Sequence, residues 1–261
     1  MNNENKNLAR YRLYREHKYI FSVFTKLLQL LATLDWAGRE TVNKIATELN
    51  RLNLLLRAHA EYEEARIHLI LKNKGSLLFQ KAARQHHEQE NCFATLTEKI
   101  QAIVNSTEIA SKNFLGYELY LEVRKFFSEN LDHFDYEEKI IMPELQKLLN
   151  DDELREIDYQ SYRKMFPEQM IHMMQILFPH MNSDDRFTYL NDIKNCEPEK
   201  FVLAWKGIAP MIKSHERKEL KKRLQIKKIT QTYNEKVSLY YPWETKPHKD
   251  SKLMTDYHEL R

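Results

Sequence analysis

The sequence has few of the residues that end helices or build covalent and thiolate sites. Of its 261 residues, four are glycine, seven are proline and two are cysteine. So few glycines and prolines leave room for few turns, and the abundant Leu, Lys, Glu and Gln residues favour helices. The two cysteines, Cys92 and Cys196, do not form a CxxC pair, so the sequence indicates neither a disulfide framework nor a thiolate metal site. We therefore expect an all-α protein of a reducing compartment.

A strong excess of charge and long apolar runs are also missing. Lysine and arginine number 41 against 38 aspartates and glutamates, a balance too even to predict nucleic acid as the main partner. No run approaches about 18 apolar residues, and the N-terminus lacks the apolar segment of a signal peptide. With 42% apolar and 30% charged residues, the composition is typical of a globular protein. We expect a cytoplasmic protein with no membrane or nucleic-acid partner.

Apolar residues recur at steps of three and four along the first 150 residues, which indicates amphipathic helices. The predicted helices cover residue 13 to the DWAG segment at 35–38, then residues 40–72, 76–104 and 115–149. Gly38 is expected to end the first helix in a left-handed conformation, and Pro143 is expected to kink the fourth. Four long helices joined by short breaks predict an up-down-up-down four-helix bundle.

One histidine lies on the apolar stripe of each predicted helix, and these histidines are His17, His59, His86 and His133. Stepping along the third helix from His86 reaches Phe93 and Leu96, so His86 is predicted to point inward. Its neighbour His87 is predicted to point outward. By the same reasoning His68 lies away from the inward stripe and is predicted on the surface, whereas Ile140 is predicted in the core.

Two of these histidines have a glutamate four residues later, namely His59 with Glu63 and His133 with Glu137. At this spacing the side chains stand about 5–6 Å apart, close enough to meet at one metal ion. A single core histidine is more often simply hydrogen-bonded, but six polar groups in one core layer are costly unless something coordinates them. Imidazole and carboxylate ligands without thiolate suit iron, manganese or zinc, and two carboxylates able to bridge favour two ions, with iron preferred.

The first 150 residues resemble the hemerythrin-like, or HHE cation-binding, family. The resemblance is carried by the motifs REHKYI, HAEYEEARIHL, QHHEQE and HFDYEEKIIMP, one in each predicted helix. It implies a non-haem di-iron centre bridged by carboxylates and an oxo group, with manganese or zinc as substitute metals. It further implies terminal histidine ligands and bridging glutamates, which would be His17, His59, His86, His133, Glu63 and Glu137.

The sequence departs from the oxygen-carrying members of this family. Those proteins have a further histidine four residues after the fourth-helix histidine and an aspartate soon afterwards, where this chain has Glu137 and Glu138. A carboxylate in place of an imidazole makes a site harder and more anionic, so simple oxygen transport is not expected. Glu64, Glu90 and Glu138 are predicted beside the ligands, as solvated side chains or as hydrogen-bond partners of the ligands, with Glu90 as an alternative ligand. Tyr62 is predicted to pack beside the site or to hydrogen-bond a metal-bound ligand.

Three regions are predicted along the chain: residues 1–150 as the metal-binding bundle, 151–229 as a helical extension packed on or near it, and 230–261 as a polar tail. The tail is expected to order only if its aromatic residues find a groove. The Met-rich stretch at residues 165–181 is predicted to be adaptable core and not a soft-metal site. The basic run at residues 213–228 is predicted to be a solvated helix face, because glutamates interrupt it.

These features leave three functions open. The first is a di-iron module that binds or senses oxygen, nitric oxide, peroxide or iron itself, with a protein partner reached through the extension. The second is a di-iron oxidase or peroxidase, and the third is a metal-free helical scaffold that binds a protein. The sequence shows no dedicated general acid or substrate-orienting arginine, so it favours the first function while leaving enzymatic turnover open.

Overall fold

The computed structural model describes residues 11–226, which form helices and no strand. The helices of the first part are α1 Glu16–Thr33, α2 Arg39–Glu63, α3 Leu69–Asn73, α4 Phe79–Asn105, α5 Ile109–Tyr136 and α6 Met142–Leu148. Two five-residue π-helical segments make α2 continuous with α3 and α5 continuous with α6. We name them the first π segment, Glu64–His68, and the second π segment, Glu137–Ile141. The predicted all-α class is confirmed.

The long helices close into a four-membered ring around a common core. Helix α1 packs against α2 and α5, and α4 packs against the same two helices. Apolar side chains from all four helices meet in one hydrophobic cluster, which includes Phe24, Leu52, Leu96 and Phe126. Each of these side chains is fully buried, so the amphipathic periodicity of the sequence corresponds to the inner faces of the bundle.

Two predicted helix boundaries are wrong. Gly38 has a φ of −83° and precedes α2 in an extended conformation, so it is not the left-handed end of α1. The left-handed glycine is Gly75, with a φ of 79°, after α3. Helix α5 begins at Ile109 and not at Leu115. Its first turns are mostly on the outside of the bundle, where polar residues do not interrupt a helix.

The π segments explain where the predicted apolar stripe fails. A π turn accommodates one residue more than an α turn, so it shifts every later side chain around the helix axis. As a result Ile141 is fully buried, whereas Ile140 is 44% exposed and its predicted place in the core is wrong. The distortion expected at Pro143 lies before this residue, because Pro143 occupies the first turn of α6, where its missing N–H costs least.

Shorter helices follow the bundle. They are α7 Asp151–Lys164, α8 Pro167–Leu177, α9 Ser183–Cys196, α10 Pro198–Ile208 and α11 Ser214–Arg223. Met170 and Met174 of α8 are fully buried in the same hydrophobic cluster as the bundle residues. Arg15 reaches Asp192 of α9 at 3.1 Å, so polar contacts also join the two parts. The predicted tail at 230–261 lies outside the described residues.

Within residues 11–226, no helix is both long enough and apolar enough to cross a bilayer.

Candidate metal centre

The six residues predicted as ligands lie together inside the bundle. One histidine comes from each long helix, and the two glutamates stand at the borders of the π segments: Glu63 ends α2 and Glu137 begins the second π segment. Every one of the six side chains is at most 5% exposed. π turns of this kind are rare and frequently occur at functional sites.

The first half of the centre is formed by His17 and His59. Their Nε2 atoms lie 2.9 Å apart. His17 Nε2 is 3.2 Å from Glu137 Oε2, and His59 Nε2 is 3.3 Å from Glu63 Oε1. Four donor groups from three long helices therefore surround one position, and these groups are close enough to share a single metal ion.

The second half of the centre repeats this arrangement with His86 and His133. Their Nε2 atoms lie 3.2 Å apart. His86 Nε2 is 3.1 Å from Glu63 Oε2, and His133 Nε2 is 3.4 Å from Glu137 Oε1. Each glutamate thus directs one oxygen to each half of the centre.

The outer nitrogens of three of the four rings fix the orientation of those histidines. Carboxylate or amide oxygens of the neighbouring side chains lie next to every Nδ1, at 2.8 Å for His17 with Glu138, 3.0 Å for His86 with Glu64, 3.2 Å for His133 with Gln85 and 3.4 Å for His59 with Glu16. A ring that donates its Nδ1–H to such an oxygen keeps a lone pair on Nε2. The rings of His17, His86 and His133 therefore present acceptors to the centre, whereas His59 Nδ1 lies near Glu16 without a hydrogen bond.

The residues at the centre fit a metal and fit little else. Four imidazole nitrogens and four carboxylate oxygens face one another, and the oxygens of Glu63 and Glu137 have no hydrogen-bond partner within the described part of the chain. Acceptors cannot satisfy one another, and a buried carboxylate without a partner is strongly unfavourable. A cation removes this conflict, so the buried cluster indicates a metal-binding site.

The electrostatics of the clustered side chains lead to the same conclusion. Burial and the neighbouring charge of Glu63 raise the pKa of Glu137 well above its ordinary value. Burial also lowers the pKa of His133 to about 3. The site therefore disfavours two carboxylate charges and a protonated His133 alike, and a bound cation would stabilise the carboxylates without protonating the rings.

The structure also places three residues that neighbour the six. Glu90 is exposed and lies 3.9 Å from the exposed His87, outside the cluster of donors. Tyr62 donates its hydroxyl to Asp158 of α7 at 2.9 Å and so takes part in the contact with the extension. The predicted surface position of His68 is wrong, because the first π segment turns it inward to 5% exposure.

Sequence reasoning missed the roles of His68 and Tyr14. The His68 ring lies nearly parallel to His86, with centroids 5.5 Å apart. The Tyr14 ring stacks on His17 at 5.0 Å, and its backbone has a φ of 56°, a rare value for a bulky residue. The HxxxE spacing of an α-helix identifies neither residue. His68 turns inward because of a π turn, and Tyr14 precedes the first helix.

Comparison with known proteins agrees with this geometry. The model of the hemerythrin HHE cation-binding domain matches residues 8–145, which is more than half of the 261 residues. No curated protein and no solved structure matches the chain. The matched range contains both π segments and all six clustered residues. The chain belongs to the hemerythrin HHE cation-binding family.

Proposed function

We propose that this chain is a non-haem di-iron protein that binds or senses a small ligand such as oxygen, nitric oxide or peroxide. The observation that carries the proposal is the placement of Glu63 and Glu137. Each carboxylate directs one oxygen to each histidine pair, at 3.1–3.4 Å from the nearest imidazole nitrogens. Two bridging carboxylates between two pairs of imidazoles match the requirements of a dinuclear centre.

The number of donors favours iron over zinc. Each ion would have two imidazoles and two carboxylate oxygens, a set that already completes the tetrahedral shell of zinc. Iron accepts more ligands and would keep open positions beside the protein donors. When bound, a di-iron centre supplies those open positions together with redox chemistry towards oxygen, nitric oxide or peroxide.

The surrounding residues hold the ligand set in place and keep water away from one side of it. Phe134 stacks on His17 with ring centroids 4.1 Å apart, so an apolar ring covers one face of this histidine. The oxygens beside three of the outer Nδ1 atoms keep those rings in the tautomer that directs a lone pair inward. Tyr14 adds a buried hydroxyl near the charges of Glu137 and Glu63, which supports a role in hydrogen bonding to a small ligand.

The contacts between the bundle and the extension support a sensor. Arg15, two residues before His17, lies 3.4 Å from Asp158 and 3.1 Å from Asp192. Tyr62, next to Glu63, also reaches Asp158. Movements of the helices that carry the ligands would therefore be transmitted to α7 and α9. We propose that a protein partner recognises the extension in a ligand-dependent state.

The experiment that tests the proposal is the metal content of protein purified from iron-supplied cells, measured with absorption spectra before and after anaerobic reduction. We expect about two irons per chain and near-ultraviolet bands that bleach on reduction. The His59→Ala and His133→Ala variants should lose metal, and the surface variant His87→Ala should keep it. If the first two bind as much iron as the parent, the proposal is wrong.

Two further measurements separate this proposal from the other functions that the sequence leaves open. Steady consumption of peroxide in proportion to iron content would make the chain an enzyme. A melting temperature that is unchanged by chelators would instead favour a metal-free scaffold, because a bound metal stabilises the folded state by mass action.

A further inference from the structure

The two halves of the centre are related by their sequence but differ in their surroundings. Glu64 and Glu138 each follow a bridging glutamate, and each contacts an outer Nδ1 atom, at 3.0 Å and 2.8 Å. Both side chains are 51% exposed. However, the residue five positions after Glu63 is His68, whereas the residue five positions after Glu137 is Met142. Only the half that contains His68 has an extra imidazole beside it.

A groove of about 240 Å³ opens on that same half, between α2 and α4. His86 forms part of its lining, and carboxylates of Glu61, Glu64 and Glu90 line it together with the single guanidinium of Arg57. This excess of negative charge attracts cations and raises their local concentration. The volume is sufficient for several water molecules, so a hydrated ion fits inside.

Beside the groove, Glu64 and His68 can hold an ion next to His86, and Glu64 and His86 line the groove itself. Donor atoms of Glu64, His68 and His86 lie within 4.8 Å of one another. His68 Nε2 is buried and has no hydrogen-bond partner within residues 11–226. An imidazole nitrogen without a partner costs free energy in the folded protein, and coordination of a cation by the His68 ring would offset part of this cost.

We propose that Glu64 and His68 form an entry site beside His86, through which divalent iron reaches the centre. The inference rests on the proposed function and adds the route by which the metal arrives. His86 stands at the boundary, because its Nδ1 is 3.0 Å from Glu64 and its Nε2 is 3.1 Å from Glu63. A single ring thus separates the groove from the bridging carboxylate. The charge of the groove favours a cation over an uncharged diatomic molecule as its occupant.

The entry site is tested by the rate at which the metal-free, full-length chain takes up Fe²⁺ without oxygen. Unbound Fe²⁺ is trapped by a coloured chelator at successive times. We expect Glu64→Gln and His68→Phe to load about tenfold more slowly than the parent, since each removes a donor of the entry site, and a charged cleft that concentrates cations raises association rates by about 10-fold or more. The final iron content at saturating Fe²⁺ should be unchanged. The phenyl ring of His68→Phe keeps the packing against His86.

Glu138→Gln is the matched control, because Glu138 has the same exposure and an equivalent contact with His17 but lies outside the groove, and the amide oxygen of glutamine can still accept the Nδ1–H of His17. It should load at the rate of the parent. Equal rates for Glu64→Gln and the parent would overturn the entry site, as would an equal slowing by Glu138→Gln. If the parent takes up no Fe²⁺ at all, the proposed function itself fails. If the parent takes up Fe²⁺ and all variants take it up at the same rate, only the entry site is refuted.

Discussion

Tyr14 and His17 form a stacked pair at the edge of the metal centre, with ring centroids 5.0 Å apart and planes inclined by 25°. Tyr14 adopts a left-handed backbone conformation with a φ of 56°, and its buried hydroxyl finds no partner within the described chain. Both features cost stability in a folded protein. Their coincidence beside a ligand histidine indicates that the tyrosine serves the site and not the fold.

The first prediction concerns this hydroxyl. Tyr14→Phe should leave the iron content unchanged and weaken the binding of azide, a small anionic probe, by about fivefold, since one hydrogen bond contributes on the order of 1 kcal/mol. The metal-free variant should be at least as stable as the parent, because the lost hydroxyl had no partner. Azide titrations followed by absorption measure the first effect, and thermal melting measures the second.

Tyr19→Phe is the control for this measurement. Tyr19 is also buried on α1 but its hydroxyl is close to Asp185 and not to the centre. Azide binding by Tyr19→Phe should equal that of the parent. Equal azide affinity in Tyr14→Phe would show that Tyr14 has no contact with the ligand.

The second prediction concerns Glu63 and Glu137, the two glutamates that we propose to bridge the metal ions. Glu137→Gln should raise the dissociation constant for iron by at least about a hundredfold, because even partners outside the ligand set contribute 10- to 100-fold. The same change should raise the melting temperature of the metal-free protein, because it removes one of two buried carboxylates that lack partners. Glu90→Gln, an exposed change outside the cluster, should alter neither quantity. A Glu137→Gln variant that binds iron as the parent does would contradict the bridging role.

The third prediction concerns the pH dependence of stability. Burial, which outweighs the opposing charge of Arg15, raises the pKa of Asp158 from 3.8 to about 6. The folded chain then binds a proton more tightly than the unfolded chain, so the contribution of Asp158 to stability falls as the pH rises from about 4 to about 6. The slope for one proton is at most about 1.4 kcal/mol per pH unit.

The Asp158→Asn variant isolates this contribution. Its difference from the parent in unfolding free energy, measured by denaturant titration of the metal-free protein, cancels the other titrating groups. We expect this difference to decrease with rising pH below 6 and to be constant above it. A constant difference from pH 4 to pH 8 would show that Tyr11, Tyr62 and Arg15, which surround this carboxylate, hold its pKa near the ordinary value.

The fourth prediction concerns the π segments. Deletion of the exposed Ala65 removes the extra residue of the first π segment and lets the helix continue with α-helical geometry, so Leu71 keeps its place in the core. Deletion of the equally exposed Ala94 in α4 turns every later residue by about 100° and moves Leu96 out of the core. The second deletion should lower the melting temperature much more than the first. Equal losses would show that the π turn is essential to the fold.

The inward histidines and the HxxxE pairs were predictable because they depend on local helical geometry. A residue and its fourth successor share a face of any α-helix, so the spacing of His133 and Glu137 already implied that the two side chains meet. The burial of Ile141 in place of Ile140 was not predictable in this way. The π turn that causes it has no strong local signature and is stabilised by the packing around it.

The sequence by itself determined the helical class, the four inward histidines and the two His–Glu pairs, because periodicity and i,i+4 spacing act within single helices. Only the tertiary structure decided how Glu63 and Glu137 face both histidine pairs, since this requires oxygens and nitrogens from helices distant in the chain. Tertiary structure also decided the inward turn of His68 and the groove that ends at His86. Such features arise between packed elements, where no sequence spacing specifies a distance.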